Sequence, residues 1–140
     1  MKRFIILFLG IILFGLTGPA AFGDAEREKR AIASAEAWLQ LVDQEHYAES
    51  WEEAAAYFKA AVSKDTWQIS LRAVRKPSGK TIIRTLSARQ YETALPGVPD
   101  REYVVIQYKT SFENKQSAVE TITPMLDKDG TWRVSGYFIK

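Results

Sequence analysis

The hydrophobic period of the chain changes once, and this change constrains the fold more than any other feature. Up to Val74, apolar residues recur at the spacing of one helical face, whereas after residues 76–79 ("KPSG") they alternate with polar ones. Proline and glycine at the change end the last helix, because the residue before proline avoids the helical region and glycine suits a turn. Helices followed by strands predict an α+β fold, with N-terminal helices packed on a curved antiparallel β-sheet.

Three helical stretches are predicted before the change. The first covers residues 25–42, whose apolar positions share one face. The second follows from Tyr47 to Val62, and Ser50 with Glu53 has the spacing of a capping box that would mark its start. Ser63 is placed to cap the third helix. The apolar face of that helix is formed by Trp67, Leu71 and Val74.

Four strands are predicted after the change, over residues 81–93, 102–112, 117–126 and 130–140. Asp129-Gly130 is the best hairpin signal, Pro124 indicates an edge or a bulge, and Gly136 indicates a bulge or a bend. Alternation in the last strand turns one set of residues towards the helices and another outwards: Trp132, Val134 and Phe138 inwards, Arg133 and Tyr137 outwards.

Residues 1–23 have the layout of a secretory signal peptide. A basic start precedes an apolar run, and small residues ending at Gly23 offer a cleavage site. We therefore expect an exported protein, periplasmic or secreted, with a single domain over residues 24–140 and no membrane contact after cleavage. The alternative is an uncleaved N-terminal anchor, although Gly18-Pro19 interrupts the apolar run.

Charge and composition exclude several classes of site. The chain has 19 basic and 17 acidic residues. Residues 1–23 hold two basic residues and no acidic one, so the remaining chain has equal numbers and gives no reason to expect nucleic-acid binding. Without cysteine there is no disulfide, thiol nucleophile or thiolate metal site. The one histidine, His46, lies in a polar break between helices and is expected to be exposed or to cap a helix. We predict no metal, no cofactor and no catalytic residue.

Two charges lie on the more apolar face of a predicted strand. Arg84 is on the first strand and Glu120 on the third. A charge in such a position is costly unless it has a partner. We expect both to line the concave side of the sheet and to pair with each other or with a ligand, unless bulges break the alternation or both reach water. The residues on these faces are Ile82, Leu86 and Ala88 beside the arginine, and Ala118, Ile122 and Leu126 beside the glutamate.

Four residues are candidates for ligand binding: Arg84, Glu120, Tyr108 and Tyr137. An isomerase-like reaction needs a pocket carboxylate of tuned pKa and a hydrogen-bond donor for the oxyanion. Glu120 with Tyr108 or Tyr137 supplies these residue types, but their spacing does not show that they converge. The aromatic residues of the helices have core spacing, so we expect them to pack in the interior.

Several segments together resemble a known bacterial family, the one catalogued as domain of unknown function 4019. They include "YAESW", "LPGVPDREYVVIQYKTSFENK", "VETITPML" and "DGTWRVSGYFIK". The family is similar to the cystatin-like superfamily with its nuclear transport factor 2-like domains, which implies a cone of helices against a bent antiparallel sheet. It brings no known activity, so no catalytic residue is carried over. Arg101 stands where the resemblance implies a glycine, which affects only the geometry of that turn.

We therefore expect a non-catalytic exported module that binds a protein partner or a small apolar ligand at the concave sheet face. One alternative is a small-molecule enzyme that uses Glu120 inside the cone. Another is a structural module that forms a homodimer through its sheet. Fold alone does not decide between them.

Overall fold

A computed structural model describes residues 22–140. Four helices precede four strands, in the order α1 Phe22–Asp43, α2 Tyr47–Glu52, α3 Ala56–Ala61, α4 Lys64–Ser78, β1 Thr81–Glu92, β2 Tyr103–Phe112, β3 Lys115–Leu126 and β4 Trp132–Ile139. The strands pair antiparallel in chain order, which leaves β1 and β4 as the edges of an open sheet. The predicted α+β architecture is confirmed.

Most of the predicted signal peptide, residues 1–21, lies outside the described residues. Within residues 22–140, no helix has the length and apolar character needed to cross a membrane.

Helix α1 lies across the sheet and contacts all four strands. The residues predicted for its apolar face are all buried, and two of them, Ala31 and Ala35, are small enough for close approach of the helix to the strands. Burial of this apolar surface is the main favourable term in the stability of the fold. The core that forms around the helix includes Trp38, Leu39, Tyr47, Phe58, Trp67, Leu71, Val104, Ile106, Ile122 and Val134.

The predicted second helix is in fact two short helices, α2 and α3. The chain leaves the helical conformation before Ala55, whose N–H donates to the Val134 carbonyl of β4 at 2.8 Å. This hydrogen bond satisfies an edge carbonyl of the sheet. The helical pattern continued through the break because both halves place their apolar side chains in the same core.

The capping box predicted at Ser50 is wrong. Helix α2 begins at Tyr47, and Ser50 is a fully buried residue inside it. The Ser50 hydroxyl donates to the Tyr47 carbonyl at 2.6 Å and accepts from the Trp67 indole N–H at 3.0 Å, while the Trp38 indole N–H donates to the Ser50 carbonyl at 2.8 Å. Two buried indole donors therefore determine the role of this serine, since an unpaired buried donor is costly.

The predicted limits of the last helix are confirmed. Ser63 caps α4 by accepting from the Thr66 N–H at 3.2 Å. Pro77 is accommodated in the final turn, and Gly79 ends the helix with a φ of 76°. A β-carbon at Gly79 would lie 2.9 Å from the Glu113 Cβ, so the position is restricted by conformation and by space.

Two irregularities in β1 change the predicted alternation. The register of β1 against β2 shifts between Thr81 and Ile83 and again between Leu86 and Ala88. Ile82 is therefore not on the helix-facing side beside Arg84, and its side chain is 65% exposed. After Leu86 the helix-facing side continues through Arg89 and Tyr91, which pair with core residues of β2. The expected face of β1 was wrong at both Ile82 and Ala88.

One irregularity between β3 and β4 reverses the predicted direction of Tyr137. Thr123 pairs with Gly136, but Pro124 pairs with Val134, so Ser135 is an extra residue. Since β3 pairs on both sides, Pro124 marks this bulge and not an edge. Beyond the bulge the alternation is reversed, and Tyr137 faces the helices, where its ring lies 5.2 Å from that of Trp38. The outward orientation predicted for Tyr137 was wrong, and so was the inward orientation predicted for Phe138, which pairs with Thr121 on the other face.

Candidate functional site

A cluster of four charged side chains lies between the sheet and the helices. Arg84 on β1 donates from Nε to Glu120 Oε1 at 2.7 Å and from Nη2 to Oε2 at 3.2 Å. The same guanidinium donates from Nη1 to Oδ2 of Asp43, the last residue of α1, at 2.7 Å, and from Nη2 to Oδ1 at 3.0 Å. Arg84 thus joins β3 to α1 through two carboxylates. Arg84 and Glu120 were expected to pair with each other or with a ligand, and the structure shows that they pair with each other.

The carboxylate of Glu120 is enclosed on all sides, with a side-chain exposure of 0%. Besides Arg84, the Thr110 hydroxyl donates to Oε1 at 2.6 Å, and the Tyr137 hydroxyl donates to Oε2. These donors converge because Thr110 pairs with Arg84 across β1 and β2, and residues directly opposite share a face of the sheet. Both oxygens of Glu120 are therefore occupied by groups of the protein itself.

Arg75 on α4 brings the second positive charge. It donates from Nη2 to Asp43 Oδ1 at 3.0 Å and to the Thr81 hydroxyl at 3.2 Å, and its guanidinium carbon lies 4.7 Å from the centre of the Phe112 ring. Two arginines and two carboxylates balance in charge. Among the described residues, Nε and Nη1 of Arg75 have no hydrogen-bond partner, although both are buried.

Asp43 and Tyr137 have pKa values that the cluster shifts away from neutral pH. Burial would raise the pKa of Asp43, but hydrogen bonds and charges from Arg84 and Arg75 lower it below its ordinary value of 3.8. Burial, and then the neighbouring charge of Glu120, raises the pKa of Tyr137 well above its ordinary value. Neither shift moves a titration towards neutral pH, which is where a general acid or base works best.

Of the four residues predicted for ligand binding, three meet in this cluster: Arg84, Glu120 and Tyr137. Tyr108 lies opposite Glu120 in the register of β2 and β3 and is buried, but its hydroxyl makes no hydrogen bond to any described residue. Burial is also the main reason that the pKa of Tyr108 is raised to about 12. The tyrosine therefore packs beside the cluster without hydrogen bonding to it.

An apolar cleft of about 200 Å³ opens beside the cluster, between α3, α4 and the end of β4. Tyr137 is common to both, since its ring lines the cleft and its hydroxyl donates to Glu120. None of the described residues that line the cleft is charged, and those with polar side chains are Thr66, Ser70 and Tyr137. Its apolar wall is formed by Phe58, Val62, Trp67, Leu71, Val74 and Ile139, with Phe138 at the edge.

Sequence reasoning missed Asp43 and Arg75. A signal was present for Arg75, which follows Leu71 by four residues and so lies on the apolar face of α4, where a charge needs a partner. Asp43 carries no such signal, because it ends a helix at a position where polar residues are common. It enters the cluster only through the approach of α1 to the first strand.

The other polar candidates form no site. His46 precedes α2, its side chain caps nothing, and its Nδ1 lies 3.3 Å from Glu49 Oε2 at the surface. In the part of the chain that the structure describes, no group of three or more histidine or acidic residues could hold a metal ion.

A comparison with known protein families agrees with the resemblance noted in the sequence. The profile of the family described as "Protein of unknown function (DUF4019)" matches residues 34–137. The chain belongs to this family. A search of the curated proteins finds no match. The matched region runs from the middle of α1 to Tyr137, and it therefore includes the charged cluster and nearly all of the apolar cleft.

Proposed function

We propose that this DUF4019 protein is an exported, non-catalytic binding module that takes an apolar group into the cleft between α3, α4 and β4. The observation that carries the proposal is the cleft itself, which combines an aromatic and aliphatic wall with a few hydroxyls and no charge. Concave sites of this composition are the usual places where proteins bind small apolar ligands.

Aromatic side chains occupy the interior between the helices and the sheet. Trp38 and Trp67 fill it, with ring centres 6.0 Å apart, and Tyr137 packs against Trp38. Binding is therefore proposed beside this packed interior, where Val74 on the rim of the cleft remains 46% exposed. Covering an exposed valine at the mouth of an apolar cleft removes apolar surface from water, which lowers the free energy of the complex.

The isomerase-like alternative has weaker support. A general base must come within hydrogen-bond reach of the proton that it removes. Glu120 is enclosed and accepts hydrogen bonds from Arg84, Thr110 and Tyr137, so a substrate would have to displace one of these donors. The cluster instead suits a structural role, in which it fixes the position of Tyr137 in the wall of the cleft.

Export is proposed from the layout of residues 1–23, a basic start followed by an apolar run and small residues. The equal numbers of basic and acidic residues after position 23 agree with an uncharged ligand.

A thermal-shift screen of the purified protein against fatty alcohols, sterols and uncharged aromatic amines tests the proposal. A ligand present at a hundred times its Kd stabilises the folded state by about 2.7 kcal/mol. We expect at least one class to raise the Tm, and the Val74→Glu variant to lose that response. Ile69→Glu is the matched control, since Ile69 is 66% exposed on the same helix and does not line the cleft. Equal responses from both variants, or a wild type that binds neither an apolar compound nor an apolar peptide, would refute the proposal.

A further inference from the structure

The edge of β4 that faces away from β3 has main-chain groups with partners among the described residues at its start but not at its end. At its start, the carbonyl of Trp132 accepts from the Ser34 hydroxyl at 2.7 Å, and that of Val134 accepts from the Ala55 N–H at 2.8 Å. Helix α1 and the link before α3 therefore cover this part of the edge. Such covering is how proteins prevent unwanted pairing at an edge strand.

The end of the same edge is not covered by any element within residues 22–140. Val119 and Lys140 exchange both backbone hydrogen bonds, at 2.9 and 3.0 Å, which makes them a hydrogen-bonded pair of the β3–β4 ladder. Such pairs alternate with non-hydrogen-bonded ones in an antiparallel ladder. In the register that follows, Tyr137 and Ile139 direct their N–H and C=O groups away from β3. Within residues 22–140 these groups have no backbone partner on another element.

The uncovered part of the β4 edge forms one side of the apolar cleft. Tyr137 and Ile139 line the cleft, and both lie on the helix-facing side of the sheet, opposite Ile122 and Glu120. A strand added beside them would turn every second side chain to that side, towards Trp67, Leu71 and Val74 of α4. The edge thus offers main-chain hydrogen bonds, and the cleft offers a pocket for one side chain.

We propose that the occupant of the cleft is an extended peptide segment of a partner protein, which adds to β4 as a fifth strand along Tyr137–Ile139 and places an apolar side chain in the cleft. This inference rests on the proposed function and specifies its ligand. Strand addition is a recognised mode of peptide binding, in which main-chain bonds give affinity and pockets for alternate side chains give specificity.

Complementarity defines the chemistry of the segment. A small molecule would fill the cleft but leave the four edge groups of Tyr137 and Ile139 without a partner, and a helix has no free main-chain groups to offer them. The uncharged lining of the cleft calls for an uncharged, bulky side chain. The residues on either side of it in the segment would point away from the helices, so they are free to be polar.

The experiment compares two capped heptapeptides, each with a central phenylalanine between valine and threonine. One has an unmodified backbone, and the other carries N-methyl groups at the alternate residues that would face β4. Loss of main-chain hydrogen bonds should weaken binding about tenfold or more, while side-chain burial is unchanged. Titration calorimetry on wild type, Val74→Glu and the Ile69→Glu control gives the affinities.

Amide hydrogen exchange then locates the peptide. We expect it to slow exchange at the N–H groups of Tyr137 and Ile139, and to leave that of Phe138, which faces β3, nearly unchanged. Equal affinities for the two peptides, or no slowing at Tyr137 and Ile139, would overturn the inference.

The outcomes separate this inference from the proposed function. If the uncharged probe N-phenylnaphthylamine binds in the cleft but neither peptide does, the cleft is a ligand site and strand addition is wrong. If neither the probe nor the peptides bind, both proposals fail. If the N–H groups of Tyr137 and Ile139 become protected only as protein concentration rises, with dimers in light scattering, the occupant is a second copy and the peptide proposal is overturned.

Discussion

Replacing Glu120 by leucine tests whether the charged cluster holds the fold together. The change leaves Arg84 with Asp43 as its only charged partner and removes the acceptor of the Thr110 and Tyr137 hydroxyls. Breaking a buried ion pair by removing one partner costs about 3–5 kcal/mol. Since Arg84 keeps one carboxylate, we expect the lower end of that range, about 3 kcal/mol, which corresponds to a fall in Tm of roughly 12 °C for a domain of this size.

The double variant makes the prediction specific to the pair. Arg84→Met alone should also be costly, because it leaves Glu120 enclosed without its cation. Replacing both partners by apolar residues removes the charges together, and such replacements are often close to neutral. Asp43 keeps Arg75 and the Thr81 hydroxyl in the double variant. We therefore expect the two changes to cost about 2 kcal/mol less together than the sum of the single changes.

Urea unfolding followed by tryptophan fluorescence measures these free energies, because Trp38 and Trp67 are buried in the core. Glu53→Leu is the control for loss of a carboxylate, since Glu53 is exposed and its side chain makes no hydrogen bond or ion pair to any residue from 22 to 140. If Glu120→Leu costs less than about 1 kcal/mol, or if the double variant is additive within about 0.5 kcal/mol, the cluster does not act as a buried unit.

Three further predictions concern stability. Ser50→Ala leaves the buried Trp67 indole N–H unpaired and should cost about 1–3 kcal/mol in urea unfolding; a cost near zero would mean that water replaces the hydroxyl. Ser63→Ala removes the α4 cap and should cost about 1 kcal/mol, whereas Ser63→Asp should retain most of it. The lowered pKa of Asp43 stabilises the fold above pH 3.8, and this contribution should be lost as pH falls through the pKa of Asp43 in the folded state. The free energy of unfolding of an Asp43→Asn variant should therefore change less with pH in the acid range. Identical pH profiles for the variant and the wild type would contradict the assignment.

Local patterns were enough to predict the architecture. The single change of hydrophobic period separates helices from strands, and the cap at Ser63 and the glycine at Gly79 locate α4 within one residue at each end. The burial of the α1 face also follows directly from its spacing, because one helical stripe must face the core. These features depend on neighbours along the chain, which the sequence shows.

The candidate site depended on features that local patterns do not contain. The pairing of Arg84 with Glu120 followed from the cost of burying a charge, but the third and fourth members, Asp43 and Arg75, come from helices that only the tertiary fold brings near. A single extra residue, Ser135, turned Tyr137 from the outer face to the wall of the cleft. Bulges cannot be located from alternation alone, since the alternation is what they interrupt.

The cleft was not visible in the sequence for a related reason. Leu71 and Val74 have the spacing of core residues, and only the separation between α4 and the end of β4 leaves a space beside them. An apolar stripe predicts which face is covered, but not whether the protein's own residues cover all of it.

The indole signals in a two-dimensional NH spectrum of the isotope-labelled protein test the central claim most directly. The four tryptophans give four signals, of which Trp67 reports on the wall of the cleft and Trp132, which does not line it, serves as an internal reference. On titration with N-phenylnaphthylamine, we predict that the Trp67 signal shifts with saturation, that the Trp132 signal stays in place, and that Val74→Glu abolishes the shift. A saturable shift confined to Trp132, or no shift at Trp67 while the probe binds, would contradict the assignment of the cleft as the binding site.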